Sequence, residues 1–125
     1  MKFRAICENH LYAKAYSKGK RVVTRSVAVY VLPDYMAERL RRAHPDKIRV
    51  NRIGLTVTKK LGGAVVRNRT KRILREAYRA VTKTARIKTG FLIVLAAREA
   101  ATHMKSTELA GDLRYALKKL ELLLP

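Results

Sequence analysis

The run FLIVLAA, residues 91–97, carries no polar side chain at any position and is bounded by Gly90 and Arg98. It is far short of the roughly 20 residues that span a bilayer, and its bounds suit a strand better than a helix. Successive side chains of a strand point to opposite faces of a sheet, so a strand with no polar residue must be covered on both. The chain is therefore expected to build a sheet around this segment and to pack other elements onto it.

Two further segments alternate. In the extended stretch from Arg21 to Leu32, Val27, Val29 and Val31 take one face, and Ser26, Ala28 and Tyr30 the other. In RIGLTVT, residues 52–58, Ile53, Leu55 and Val57 point one way and Gly54, Thr56 and Thr58 the other. This second face is small and hydroxyl-bearing, which leaves room for a ligand backbone.

Helical periodicity appears in three places. NHLYAKAYSK, residues 9–18, predicts a short helix with Asn9 as N-cap, Gly19 as a left-handed stop, and Tyr12 and Tyr16 on one face. After the turn KKLGGA, a long helix runs from Val65 to about Thr82. From Ser106 onward, Leu109, Leu113, Leu117, Leu120 and Leu124 repeat as a single docking stripe. Between the alternating segments, residues 35–51 form a charged excursion with room for one or two helical turns before Pro45. The length suits one domain, 1–125. The expected class is α+β, a single sheet of about four strands with helices packed on it in the order α-β-β-β-α-β-α.

Charge then narrows the function. The chain has 29 Lys and Arg against 9 Asp and Glu, a formal net charge of +20. A field of that size costs self-repulsion unless a polyanion relieves it, so nucleic acid is the first partner to consider. The charge is dense in RNRTKRILREAYR, residues 67–79, where Glu76 is the one acid. At about 100° per residue, Val66, Thr70, Ile73, Leu74, Ala77, Tyr78 and Val81 share an apolar arc. Arg67, Asn68, Lys71, Arg75 and Arg79 flank it on one side, while Arg69 and Arg72 lie around the far side with Glu76. A merely solvated helix interleaves acids at i+4 to gain about 0.3 to 0.5 kcal/mol per pair. Here like charges repel at that spacing, which favours an external anion.

Arg offers phosphate a planar fork, Lys a point charge, and Asn68 a group for a base edge, sugar or phosphate. The amides at the start of the long helix add a further anion site. Beside the first flank, Tyr12, Tyr16, Tyr30, Thr56 and Thr58 can complete a cleft with aromatic walls and a basic lip, suited to a single strand. The bland alternative for each tyrosine is a half-buried core ring with its hydroxyl at the surface.

Little points to catalysis by protein side chains. The acids are scattered singly with no D-x-D, and two-metal sites are built from clustered carboxylates. His10, His44 and His103 are isolated in sequence, and the glycines at 62 and 63 lack the rest of a P-loop. Cys7 is the only cysteine, so neither an intrachain disulfide nor a Cys-rich zinc site is possible. No catalytic residue, metal ligand or protein-bound cofactor is expected. The N-terminus lacks an apolar signal core, no segment suits a membrane, and a cytoplasmic location is expected.

AVVRNRTKRILREAYR, residues 64–79, resembles the signature of the bacterial ribonuclease P protein subunit, in which an RNR run opens the central helix. The resemblance extends over nearly the whole chain. Tyr12 and Tyr16 before Gly19 look like the family's aromatic pattern, VAVYVL and RIGLTVTKKLG like its second and third strands, and GFLIVLAAR like its fourth. Tyr stands where Phe is common in the first helix, the loop 33–51 is longer than usual, and Ile6, Cys7 and Glu8 stand where more basic residues are typical.

The resemblance implies a mixed sheet with a left-handed β-α-β crossover, similar to a domain of a small-subunit ribosomal protein. It also implies a subunit that assists a catalytic RNA in cutting the 5′ leader from precursor tRNA, with magnesium used by the RNA and the protein a monomer within the holoenzyme. By that similarity Tyr12, Tyr16, Tyr30, Arg67, Asn68, Lys71 and Arg75 face the leader, with Thr56 and Thr58 of the adjoining sheet face expected beside them, and Arg69 and Arg72 face the catalytic RNA. The rival from another class is a ribosomal or architectural RNA-binding protein with no role in cleavage.

Overall fold

The computed structural model describes residues 3–124. In chain order the elements are β1 (Phe3–Ala5), α1 (Asn9–Lys18), β2 (Lys20–Val23), β3 (Val27–Pro33), α2 (Ala37–Ala43), β4 (Asn51–Thr56), α3 (Ala64–Thr84), β5 (Phe91–Ala97) and α4 (Ser106–Lys119). They form the α+β architecture expected, with one mixed sheet in the order β1-β4-β5-β3-β2. β4 runs parallel to both β1 and β5, and the other pairs are antiparallel. The β4-α3-β5 connection joins two neighbouring parallel strands.

β5 sits at the centre because its sequence demands it. Ile93 and Leu95 face one layer, Leu92 and Val94 the other, and none is more than 2% exposed. The larger layer packs Val27, Val29, Val31 and Ile53 against α3 and α4, the latter through Leu109, Leu113 and Leu117. The smaller one packs Leu32, Leu92 and Val94 against Ile6 and Ala15, with Leu11, Tyr12 and Tyr30 partly buried around them. Each fully buried Leu or Ile contributes on the order of 1.5–3 kcal/mol relative to exposure. Ser26 adds a polar pin, its hydroxyl donating to Asp112 of α4 at 2.6 Å.

Several expectations change. The sheet has five strands because β1, only three residues long, pairs with β4 from Phe3↔Asn51 to Ala5↔Ile53. The extended stretch 21–32 is a hairpin, broken where the Thr24 hydroxyl accepts the Val27 amide at 3.1 Å. Glu8, not Asn9, is the N-cap of α1, and no side chain caps that end. Gly19 is extended at φ −76 and ψ 156 rather than left-handed. Its reason is close approach: a Cβ there would lie 2.5 Å from the Ala15 carbonyl oxygen and 2.8 Å from that of Val31. α1 can settle onto β3 only without that carbon.

The leucine stripe of α4 also ends early. Leu120 is partly buried and Leu124 is exposed, because the chain turns at Glu121, a left-handed residue with φ 60. That turn has the hydrogen bonds of a Schellman motif, Leu122 N–H to Leu117 O and Glu121 N–H to Lys118 O, both 3.0 Å. Leu122 takes the buried place instead.

The charged excursion is anchored at its start. Arg52 of β4 donates to both oxygens of the buried Asp34 carboxylate, Nε at 2.7 Å and Nη2 at 2.8 Å, and its Nη1 reaches Glu8 at 3.2 Å. The bond to Asp34 raises the guanidinium pKa, against the opposing effect of burial. Asp34 also accepts the Met36 amide at 3.0 Å just before α2. One side chain thus ties together the start of α1, strand β4 and the approach to α2. A buried pair of this kind is held by its geometry, since removal of one partner strands the other charge.

Candidate nucleic-acid interface

α3 divides much as its periodicity requires. Thr70, Ile73, Leu74, Ala77, Tyr78 and Val81 are buried against the sheet and α4, and the Thr70 hydroxyl is satisfied by the Val66 carbonyl at 2.8 Å. Val66 itself departs from the expected arc: it is 37% exposed, and Ala64 and Val65 before it are exposed too. This first turn follows Gly63 with no side-chain cap, so its leading amides are open to an anion.

Between α1, β4 and α3 lies a cleft. Its deeper part, about 230 Å³, is lined by Phe3, Ile6, Tyr12, Leu55, Lys71 and Arg75. A shallower part of about 440 Å³ continues past Asn9, Tyr16 and Thr56, with Tyr12, Leu55 and Lys71 common to both. The cleft exists because β1 stops at Ala5, opposite Ile53, while β4 runs on to Thr56. Among the described residues no strand lies beside the outer edge of β4 at Leu55 and Thr56.

The tyrosines are fixed to that edge. Tyr12 lies over Gly54, and its hydroxyl is hydrogen-bonded by the Leu55 backbone. Burial pushes the Tyr12 phenol up, an effect the Leu55 hydrogen bond only partly offsets. Tyr16 shares a hydrogen bond of 2.7 Å with the Thr56 hydroxyl and meets the Tyr30 ring edge-on, with centroids 4.8 Å apart and planes at 86°. Tyr16 is 40% exposed, so its ring remains free for stacking while its tip is held.

Of the residues expected at this site, Tyr12, Tyr16, Thr56, Lys71 and Arg75 come together in the cleft. Tyr30 stands behind Tyr16 as its support. Thr58 does not join them: β4 ends at Thr56, and Thr58 is exposed at the start of a 3₁₀ turn, Lys59–Leu61. Arg67 and Asn68 lie one turn nearer the start of α3. Asn68 is exposed, and Arg67 is half-buried with its Nε enclosed and, among the described residues, without a hydrogen-bond partner.

Arg69 and Arg72 occupy the other flank. Arg69 donates from Nη1 to the Thr102 carbonyl at 2.9 Å, and Arg72 stands 3.7 Å from Glu76 at the surface. Glu76 is thereby committed away from the cleft. Among the described residues no acid pairs with Lys71 or Arg75. Phe3 and Leu55 are among the cleft residues that the sequence did not single out. Leu55 belonged to an alternating face that reads as core, and Phe3 arrives only through the long-range pairing of β1.

The arrangement offers ring faces, hydroxyls and uncompensated cations along an open strand edge. Those groups bind and align a polyanion. Among the described residues no group of three His, Cys, Asp or Glu side chains is placed to hold a metal ion, and no helix is long and apolar enough to cross a membrane.

Comparison with known proteins gives a consistent picture. The family model described as Ribonuclease P matches residues 1–121. The ribonuclease P protein component of Shouchella clausii is 30% identical over 124 residues, covering 99% of this chain and 91% of that protein. That of Gluconacetobacter diazotrophicus is 39% identical over 108 residues, covering 86% and 83%. Among solved structures, the Staphylococcus aureus RNase P protein aligns with a TM-score of 0.74 at 28% identity, over 98% of this chain and 100% of that one. The Thermotoga maritima RNase P protein has a TM-score of 0.71 over 93% and 96%, and at 22% identity it bears on the fold alone.

Proposed function

The chain belongs to the ribonuclease P protein family, and on that premise we propose that it binds the catalytic RNA of ribonuclease P and holds the 5′ leader of precursor tRNA during its endonucleolytic removal. The observation that carries this reading is the cleft: Tyr12 and Tyr16 beside Lys71 and Arg75 on the open edge of β4, with neither cation paired to an acid among the described residues. Ring faces hold unstacked bases, and Lys and Arg hold the phosphates between them. Thr56 supports Tyr16, and Tyr30 holds its ring from behind. Arg67, Asn68 and Thr58 meet the leader where it leaves the cleft, beyond its present lining.

The protein's contribution is positional and electrostatic. Cleavage chemistry belongs to the RNA and its magnesium ions, with no protein-bound cofactor. Neutralising leader phosphates near the scission site tightens binding of the precursor and favours divalent-metal occupancy on the RNA. The mature product has no leader to place in the cleft, so the precursor is bound in preference. Arg69 and Arg72, on the opposite flank of α3, face the catalytic RNA. The subunit acts as a monomer within a cytoplasmic holoenzyme.

Reconstitution tests this reading. With a ribonuclease P RNA and precursor tRNA at low magnesium, the protein should stimulate cleavage and favour precursor over mature tRNA. RNA binding without stimulation would leave it an architectural RNA-binding protein.

A further inference from the structure

The cleft is not closed at its Phe3 end. Phe3 walls the cleft on one side and, on the other, an open groove of about 550 Å³ lined by Arg4, Ala43, His44, Pro45, Val50 and Arg79. α3 runs past both. Lys71 and Arg75 line the first, and Arg79, one turn on, lines the second, so that the cations from Lys71 to Arg79 span ~12 Å of helix. The Arg79 guanidinium lies 6.0 Å from the centroid of the Phe3 ring. Arg4 and Arg79 are exposed and, among the described residues, neither forms an ion pair.

The far wall is the charged excursion, which takes no part in the cleft. After α2 the chain turns tightly, with Lys47 left-handed at φ 54 and its amide donating to the His44 carbonyl at 3.0 Å. The Asp46 amide donates to His44 Nδ1, also at 3.0 Å. An accepting Nδ1 leaves the proton of the neutral imidazole on Nε2, as a donor. The groove therefore combines two guanidinium groups, an imidazole and an aromatic ring, and among the described residues none that lines it is acidic.

We propose that Arg4, His44 and Arg79 form a second compartment of the same single-strand groove, holding the leader nucleotides that follow those on Tyr12 and Tyr16. The chain would thereby sense leader length. This rests on the leader-binding reading above. Two features favour the leader over the catalytic RNA as occupant: the continuity through Phe3, and the turn of the Arg79 guanidinium toward the Phe3 ring, which also walls the cleft of Lys71 and Arg75.

The test uses the reconstituted holoenzyme and precursor tRNAs that share one tRNA body and carry leaders of increasing length, with affinity measured at several salt concentrations. Wild-type affinity should rise in two stages as the leader fills first the cleft and then the groove. In the Arg4→Ala/Arg79→Ala double variant the second stage should vanish, and for long leaders the slope of log affinity against log salt should become shallower by about 0.7 for each phosphate that is no longer neutralised. His44→Ala should lose affinity on long leaders alone. Arg79→Gln, which keeps a stem beside Phe3, covers the case in which truncation disturbs β1.

An equal loss at every leader length would overturn the proposal in favour of contact with the tRNA body or the catalytic RNA. An unchanged length profile would overturn it outright. If wild type shows no preference for precursor over mature tRNA, the leader-binding reading itself fails, an outcome distinct from a preserved preference with no second stage.

Discussion

The Tyr12 ring fills the space that a side chain on residue 54 would need: a Cβ on Gly54 would stand 2.6 Å from Tyr12 Cε1 and 2.8 Å from its hydroxyl oxygen. No flexible group separates the two, so the ring's position over β4 depends on that missing carbon. Gly54→Ala should displace Tyr12, lower stability by about 1–3 kcal/mol as overpacking does, and weaken precursor tRNA binding while sparing mature tRNA. Thermal unfolding together with the two affinities checks this. Leader binding as tight as wild type would show that Tyr12 acts from elsewhere.

Tyr16 separates stacking from hydrogen bonding. Tyr16→Ala removes the ring and should cost about 1–3 kcal/mol of precursor affinity, the usual worth of one base on an aromatic side chain. Tyr16→Phe breaks only the bond to Thr56 and should lose much less. Lys71→Ala should also weaken the precursor and flatten its salt dependence. Mature tRNA serves as the control in each titration, and equal losses on both ligands would sink the assignment.

Arg69 should behave differently. Its side chain is held against the Thr102 carbonyl on the flank away from the cleft, so Arg69→Ala should impair assembly with the catalytic RNA. The activity titration would then reach its midpoint at higher protein concentration, while the preference for precursor at saturation stays as in wild type. A changed preference with an unchanged midpoint would place Arg69 on the leader side.

Tyr78 makes stability depend on alkaline pH. Burial raises its phenol from 10.0 to about 12, with the Asn51 side chain acting weakly the other way. Above about pH 10 the unfolded chain releases this proton while the folded one keeps it. The stabilisation is therefore whole below that pH and is lost as pH rises through the folded pKa, by roughly 2 to 3 kcal/mol in all. Tyr78→Phe should remove this part of the decline. Urea unfolding of both proteins across the alkaline range measures it, and parallel curves would contradict it.

What could be read from the sequence was local. FLIVLAA needed cover on both faces and obtained it, and the buried stripe of α3 followed from a period that needs no partner to be seen. β1 was illegible because three residues carry no period, and with it went Phe3 and one end of the cleft. Alternation did not tell where β4 stops, and Thr58 lies beyond Thr56, the last paired residue. Gly19 was recognised as special for the wrong reason: a stop signal and a close approach look alike in sequence, and only the carbonyls of Ala15 and Val31 tell them apart. The link from Glu8 through Arg52 to Asp34 joins three segments that no short window spans.

The unpaired edge of β4 is also a hazard, since a bare strand edge can template another copy of the same chain. Here the Tyr12 hydroxyl already engages the Leu55 backbone, and Lys71 and Arg75 would face their own duplicates across any such junction. The charges suited to drawing in RNA therefore also guard the edge against polymerisation. Stripping them would reduce solubility as well as affinity, a loss that no binding assay would register.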